Sequence, residues 1–117
     1  MFRFVLVAVF LAVPAFAQTT STQILGTIRD QSGAAVVGAK VDATRKSTRE
    51  LRTTRSNDTG NYVIPNIESG EYEVVITAPG FRTERIVSLR VELSQMARVD
   101  TSLQIGNVTE TVEVSGV

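Results

Sequence analysis

From Ile24 onward, apolar residues recur at every second position in short runs, and Gly, Asn, Asp and Ser separate the runs. A period of two is that of a half-buried strand, and no sustained helical period appears past Gln18. The pattern predicts a first strand from Ile24 to Arg29, with Ile24, Gly26 and Ile28 on one face, and a second from Ala39 to Arg45, with Val41 and Ala43 facing inward. A third, Glu50 to Arg55, is expected to turn Leu51 and Thr53 inward. A short fourth strand carries Tyr62 and Ile64 and ends at Pro65, which has no N–H to give a ladder. Glu71 to Ala78 alternates most cleanly, with Tyr72, Val74 and Ile76 against Glu71, Glu73 and Thr77. Phe81 to Leu93 gives one or two strands more, and Ala97 to Ile105 another in which Val99, Thr101 and Leu103 share a face.

The intervening segments carry turn chemistry. Asp30-Gln31-Ser32-Gly33 supplies an aspartate that accepts backbone N–H groups and a glycine free to take positive φ. Asn57-Asp58-Thr59-Gly60-Asn61, with Asp58 as the expected cap, and Pro79-Gly80 close two further turns, and Gly60 and Gly70 stand where hairpin geometry asks for positive φ. About seven strands, with turn signals every ~8–12 residues, predict an all-β antiparallel sandwich, here over residues 24–105. In Gly106 to Val117, Val108, Val112 and Val114 alternate with polar residues, so this segment is expected to be one more strand or a linker. A strand of this kind is expected to pair with something beyond the sandwich, and the chain to be a fragment or the first module of a longer protein.

The first 17 positions follow another pattern: Arg3, an apolar run from Phe4 to Val13, then Pro14-Ala15-Phe16-Ala17 before Gln18. This is the layout of a cleaved signal peptide, with Ala15 and Ala17 as the small side chains that signal peptidase reads and Gln18 as the first mature residue. The apolar run falls short of the roughly 20 residues that span hydrocarbon, so cleavage is expected in place of anchoring. Residues 18–23 read as a flexible lead-in.

Composition narrows the chemistry. The 117 residues include no Cys, His or Trp, which excludes zinc sites built on Cys or His, thiol or His-dependent catalysis, and a disulfide framework. The 12 basic residues balance the 12 acidic ones, and loss of Arg3 with the signal peptide leaves the mature chain one unit negative. No global field then draws nucleic acid. A Cys-free exported domain must hold together by its core, which ~100 residues can supply. Four of the five Phe lie in the signal segment, so Tyr62, Tyr72 and Phe81 are the aromatics left for that core.

Five linked blocks now stand in order: Gly26-Thr27-Ile28-Arg29-Asp30 followed by Gly33, Gly38-Ala39-Lys40-Val41, Thr59-Gly60-Asn61-Tyr62, Gly70-Glu71-Tyr72-Glu73-Val74 and Ala78-Pro79-Gly80-Phe81. Together they resemble the carboxypeptidase regulatory-like domain. The resemblance implies a seven-stranded, Ig-like or transthyretin-like sandwich and makes Gly26, Asp30, Gly33, Asp58, Gly60, Tyr62, Gly70, Tyr72, Gly80 and Phe81 residues of the fold, not of a catalytic site. The segment from Gly106 to Val114 is similar to the one leading from such a domain into the plug of TonB-dependent outer-membrane receptors, where the sandwich is an N-terminal periplasmic extension. This implies export to the periplasm or the cell outer membrane, a role in protein interaction or in positioning downstream receptor domains, and membrane association only through a parent receptor. Transport belongs to the plug and barrel and is not implied for this chain.

Candidate chemistry is sparse. Glu71 and Glu73 lie two apart on one strand face, but nothing nearby in sequence would desolvate a carboxylate, so the chain is expected to be non-enzymatic and without a cofactor. Asn57, Asp58 and Asn61 lack the loop spacing of a calcium site; an Asx-type turn is expected and no metal. Arg45, Lys46, Arg49, Arg52 and Arg55, interrupted only by Glu50, give the second hairpin a local charge of +4. A solvated hairpin is the plain reading; contact with anionic head groups or an acidic partner is the functional one. No aromatic is interleaved to stack a base. Val108, Val112 and Val114 form the candidate partner edge. A carbohydrate-binding module of starch-binding-like fold is the alternative function, and it needs an exposed ring where Tyr62, Tyr72 and Phe81 are expected to face inward. Sequons at Asn57 and Asn107 matter only in a eukaryotic secretory pathway, against which the resemblance argues.

Overall fold

The computed structural model describes residues 21–107 and 109–114, together with Ala12. The cleavage residues Ala15, Ala17 and Gln18 and the edge residue Val108 lie outside the described residues. In chain order the strands are β1 (Gln23–Asp30), β2 (Lys40–Arg45), β3 (Leu51–Arg55), β4 (Asn61–Ile64), β5 (Gly70–Thr77), β6 (Thr83–Val91), β7 (Met96–Arg98), β8 (Thr101–Leu103) and β9 (Thr111–Val114). They form two sheets. One has β1 between β4 and the successive short strands β7 and β8; the other runs β3-β2-β5-β6-β9.

The inner faces meet in a core of Ile24, Ile28, Val41, Tyr62, Ile64, Tyr72, Val74, Ile76 and Leu103, with Phe81 and Val99 packed against it. Each fully buried Ile or Leu contributes about 1.5–3 kcal/mol, enough for a Cys-free sandwich to cohere. The fold is the all-β sandwich expected from the pattern, with nine strands among the described residues in place of seven. Three pairings, β1 with β7, β1 with β8 and β6 with β9, are parallel. Each joins strands whose connecting chain crosses between the sheets, and a crossover permits the parallel direction that a tight hairpin forbids.

The inward face of β3 is the reverse of the expected one. Val41 lies opposite Thr54 and Ala43 opposite Arg52, and residues directly opposite share a face. Arg52 and Thr54 therefore turn inward, while Leu51 is 57% exposed and Thr53 is exposed too. The buried neighbours on β2 set the register, against the apolarity of Leu51.

The predicted strand from Ala97 to Ile105 breaks into β7 and β8 at Val99 and Asp100. The Val99 N–H donates to the Leu25 carbonyl at 2.7 Å, and a regular parallel ladder would return the Thr27 N–H to the Val99 carbonyl. Instead the Thr27 N–H donates to Asp100 Oδ1 at 2.9 Å, and the Val99 carbonyl accepts the Tyr62 hydroxyl at 2.6 Å. Gly26 permits the exchange, because a Cβ there would stand 1.8 Å from the Val99 oxygen. Burial first, then the charges of Asp100 and Glu84, raises the Tyr62 hydroxyl above its ordinary range, so it stays a donor.

The turns follow their residue chemistry with one change. Asp30 Oδ1 accepts the Ser32 N–H, the Ser32 hydroxyl and the Ala34 N–H, and Gly33 takes φ +86°. In the second turn the cap is Asn57, not Asp58: Asn57 Oδ1 accepts the Thr59 N–H, the Thr59 hydroxyl and the Asn61 N–H. Position sets the choice, since an Asx oxygen reaches N–H groups two and four residues onward, and from Asn57 those are Thr59 and Asn61.

Candidate interaction surface

The basic hairpin does not form a free cationic patch. Arg45 donates from Nε and Nη2 to the Ser69 carbonyl at 3.1 and 2.8 Å, and its Nη1 meets Glu68 at 3.1 Å. Arg52 donates to the carbonyls of Pro65 and Asn66, and Arg55 to that of Gly38. The Tyr72 hydroxyl donates to the Glu68 carbonyl at 2.6 Å. Arg45, Arg52 and Tyr72 thus satisfy a loop between β4 and β5 whose backbone oxygens have no strand partner, so two of the five basic residues close one flank of the sandwich, while Arg55 bonds the segment before β2. Among the described residues, only Lys46 and Arg49 of the five have no side-chain hydrogen bond or ion pair. Arg49 occupies the hairpin tip with φ +61°.

The tail segment does form a strand, but it pairs within the sandwich and not with something beyond it, because β6 offers it an open edge. β9 lies parallel to β6, with Thr83 opposite Thr111, Glu84 opposite Val112 and Ile86 opposite Val114. On the outer face Arg85 holds both oxygens of Glu73 at 3.0 Å and approaches Glu113 at 3.5 Å, joining β5, β6 and β9. The hydrogen bond from Arg85 is the main cause that holds the Glu73 carboxyl below its usual range. Glu71 is exposed and outside this clamp. Glu71 and Glu73 thus form no acid/base couple. The side of β9 away from β6 pairs with no strand among the described residues.

A third feature went unread in the sequence. Glu84 lies opposite Ile76 on β5, which makes it an inward residue of β6, and burial pushes its carboxyl up from the ordinary value. Strand parity carries the signal, since Glu84 stands two before the buried Ile86.

Open space is distributed around these elements. A groove of about 660 Å³ is lined by Lys40, Arg55, Ala78, Pro79 and Asn107, among others, with Lys40 held by Asp42 at 3.4 Å. A polar hollow of about 510 Å³ lies by the Asp30 turn, Arg98 and Asp100. A slot of about 170 Å³ lies beside Glu84. No group of three or more His, Cys, Asp or Glu fit to hold a metal ion occurs among the described residues. Tyr62 and Tyr72 are both 2% exposed, which leaves neither ring as a sugar platform.

No curated relative matches the chain in sequence. Among solved structures it is similar to the TIE protein of Bacillus anthracis (TM-score 0.59, 13% identity, 73% of this chain and 16% of that one). It is also similar to a protein of Bacteroides uniformis described as carbohydrate-binding (TM-score 0.53, 19% identity, 71% and 41%). A third likeness is to the dioxygenase domain of a dioxygenase and carbohydrate-binding fusion from a Streptomyces species (TM-score 0.56, 10% identity, 80% and 86%). The chain spans less than half of the first two, and at these identities the likeness is one of fold alone. The sequence decides the family: residues 23–104, which include the Gly26 approach, the two turns and both buried tyrosines, match the model of the carboxypeptidase regulatory-like domain, and the chain belongs to that family.

Proposed function

We propose that this chain is a non-catalytic, exported accessory domain, the N-terminal periplasmic extension of a TonB-dependent outer-membrane receptor. It acts by engaging a partner protein or by positioning the receptor domains that follow. The observation that carries the reading is the docking of β9 on β6: the segment leading out of the sandwich is itself a strand of the larger sheet, clamped by Arg85 and Glu113. A chain leaving in this way transmits the orientation of the sandwich to whatever follows it, which a flexible linker would not.

Two measurements test the reading. The gene sequence beyond the codon of Val117 should continue in frame into a plug and a β-barrel; a stop codon there overturns the receptor assignment. Amino-terminal sequencing of the protein from the periplasmic fraction of expressing cells should begin at Gln18, and an intact Met1 in the cytoplasm refutes export. The carbohydrate-binding alternative draws only on the fold-level likeness to the Bacteroides protein. Calorimetric titration with soluble polysaccharides should show no heat of binding, and a saturable isotherm would favour that alternative.

A further inference from the structure

Glu84 is an acidic residue directed into the sandwich. It stands between Ile76 on β5, which is fully buried, and Val112 on β9, so its carboxyl lies with the inner faces of its neighbours. There it lines the slot of about 170 Å³ together with Arg82, Leu103, Val112 and Val114. Its Oε2 is buried and has no hydrogen-bond partner among the described residues. Arg82, the cation that also lines the slot, pairs by charge through Nε with Glu110 at 2.8 Å, although that Nε makes no well-directed hydrogen bond among the described residues. Arg85 is committed to Glu73 and Glu113 on the outer face. Thr101, which faces inward on β8 with Leu103, also buries a hydroxyl oxygen without a partner. Leu103, Val112 and Val114 line one part of the slot and Ser102 and Gln104 another, and with Arg82 shared with Glu110 a carboxylate partly enclosed there is costly unless it is paired.

The slot is bordered by Val112 and Val114 of β9, and the side of β9 away from β6, which meets no strand among the described residues, offers N–H and C=O groups to an incoming strand. A strand added there alternates its side chains, and those on the inner face stand over the slot. Two strand spacings, about 9.6 Å, separate β6 from such a strand. The four-carbon stem of a lysine and the side chain of Glu84 cover that distance together. The slot is narrow, about 170 Å³, and an unbranched stem ending in a compact ammonium suits it better than a planar guanidinium fork.

We propose that the slot between β8 and β9 receives a lysine side chain from a partner polypeptide that adds as a strand to β9. The ammonium takes Glu84 as its counter-charge, and the methylene stem lies on Leu103, Val112 and Val114. The identity of the occupant as a polypeptide rests on the accessory-domain reading above; the chemistry of the slot does not.

The test uses protein recovered from cells expressing the full chain, observed by NMR at the methyl groups of Leu103, Val112 and Val114 and the amides of Thr111 to Val114. Titration with n-pentylammonium should give saturable methyl shifts, with 1-pentanol about tenfold weaker, as for a hydrogen bond to a charged group. Glu84→Gln, which keeps the shape of the side chain, should abolish the difference. Equal binding of the two probes, or a preference that persists in Glu84→Gln, overturns the slot. Two seven-residue peptides of alternating threonine and valine, one with a central lysine and the other with leucine, then separate the two parts. Tighter binding of the lysine peptide supports the whole proposal. Equal binding upholds the strand edge and refutes the lysine, whereas pentylammonium binding without peptide binding upholds the slot and refutes the polypeptide partner.

Discussion

Gly26→Ala is the substitution that most sharply tests the architecture, because the approach of Val99 to β1 depends on a missing Cβ. The added carbon would stand 1.8 Å from the Val99 oxygen and 2.6 Å from its carbon, both backbone atoms that no side-chain rotation can move. Displacing them costs about 1–3 kcal/mol as overpacking. The displaced carbonyl also loses the Tyr62 hydroxyl, now at 2.6 Å, a further net loss of about 1 kcal/mol. The expected total is about 2–4 kcal/mol, from a domain stability of about 5–15 kcal/mol, and a fall in Tm of about 4–8 °C per kcal/mol. Tyr62→Phe removes the hydroxyl alone and should cost about 1–2 kcal/mol, since the buried Val99 carbonyl loses its donor. The double variant should lose less than the sum, because both substitutions act through one carbonyl. Gly33→Ala serves as the contrast: its Cβ meets nothing within 4 Å, but φ is +86°, so backbone strain alone should cost about 1 kcal/mol. Urea unfolding with a constant m-value measures all four. A Gly26→Ala variant within about 0.5 kcal/mol of the parent, the spread of ordinary surface substitutions, would refute the close approach.

Other consequences follow from particular side chains. Asn57→Ala should destabilise by about 1–2 kcal/mol through loss of a cap, whereas Asp58→Ala should stay within about 0.5 kcal/mol; urea midpoints distinguish the two. Arg45→Ala should cost about 1–2 kcal/mol by stranding the Ser69 carbonyl, while Arg49→Ala changes neither the unfolding midpoint nor binding to anionic vesicles in a sedimentation assay. The Glu73 carboxyl, held low by Arg85, contributes stability that is present above its unfolded value near 4.5 and is lost as pH falls through the lower folded value; Glu73→Gln should flatten that acid limb of the Tm profile. Glu84 has the opposite sign, because burial raises its folded value. Its stabilising contribution is complete below 4.5 and lost as pH rises through the folded value, so Glu84→Gln should raise Tm at neutral pH and leave it nearly unchanged at pH 4.

The sandwich was legible where strand parity and turn chemistry agree. Tyr72, Val74 and Ile76 are buried as their alternation requires, and Asp30 and Gly33 shape their turn as their side chains dictate. Legibility failed where a tertiary contact overrides the local pattern. Leu51 faces outward because β2 fixes its register, and the run from Ala97 to Ile105 breaks because the Val99 carbonyl bonds a side chain two strands away. The basic hairpin was legible as a charge run but not in its purpose, since carbonyl acceptors on a separate loop leave no mark on the residues that bond them. Glu84 was missed for a related reason: its neighbours Thr83 and Arg85 are polar too, so no local alternation marks it, and its direction emerges only by counting back from the buried Ile86 or from the pairing with Ile76.

The two flanks of the sandwich divide accordingly. On the side of β3 and β4, Arg45, Arg52 and Tyr72 donate to carbonyls of the β4–β5 loop, so the space between the sheets is sealed by groups whose partners all lie within the chain. On the side of β8 and β9, Glu84 Oε2 and Thr101 Oγ1 are buried without hydrogen-bond partners among the described residues, and the side of β9 away from β6 meets no strand among them. A buried polar group without a partner costs more than a hydrogen bond returns, so the second flank lowers its free energy when something else supplies the donors, and the first does not. On the proposed reading, the asymmetry favours partner binding opposite the basic hairpin, although that hairpin holds the densest charge in the sequence. Arg85 reinforces this, because by clamping Glu113 it fixes the strand that borders the slot. Arg85→Ala should therefore weaken pentylammonium binding without removing any group from the slot itself, and unchanged affinity in that variant would show that the β9 edge is set by backbone pairing alone.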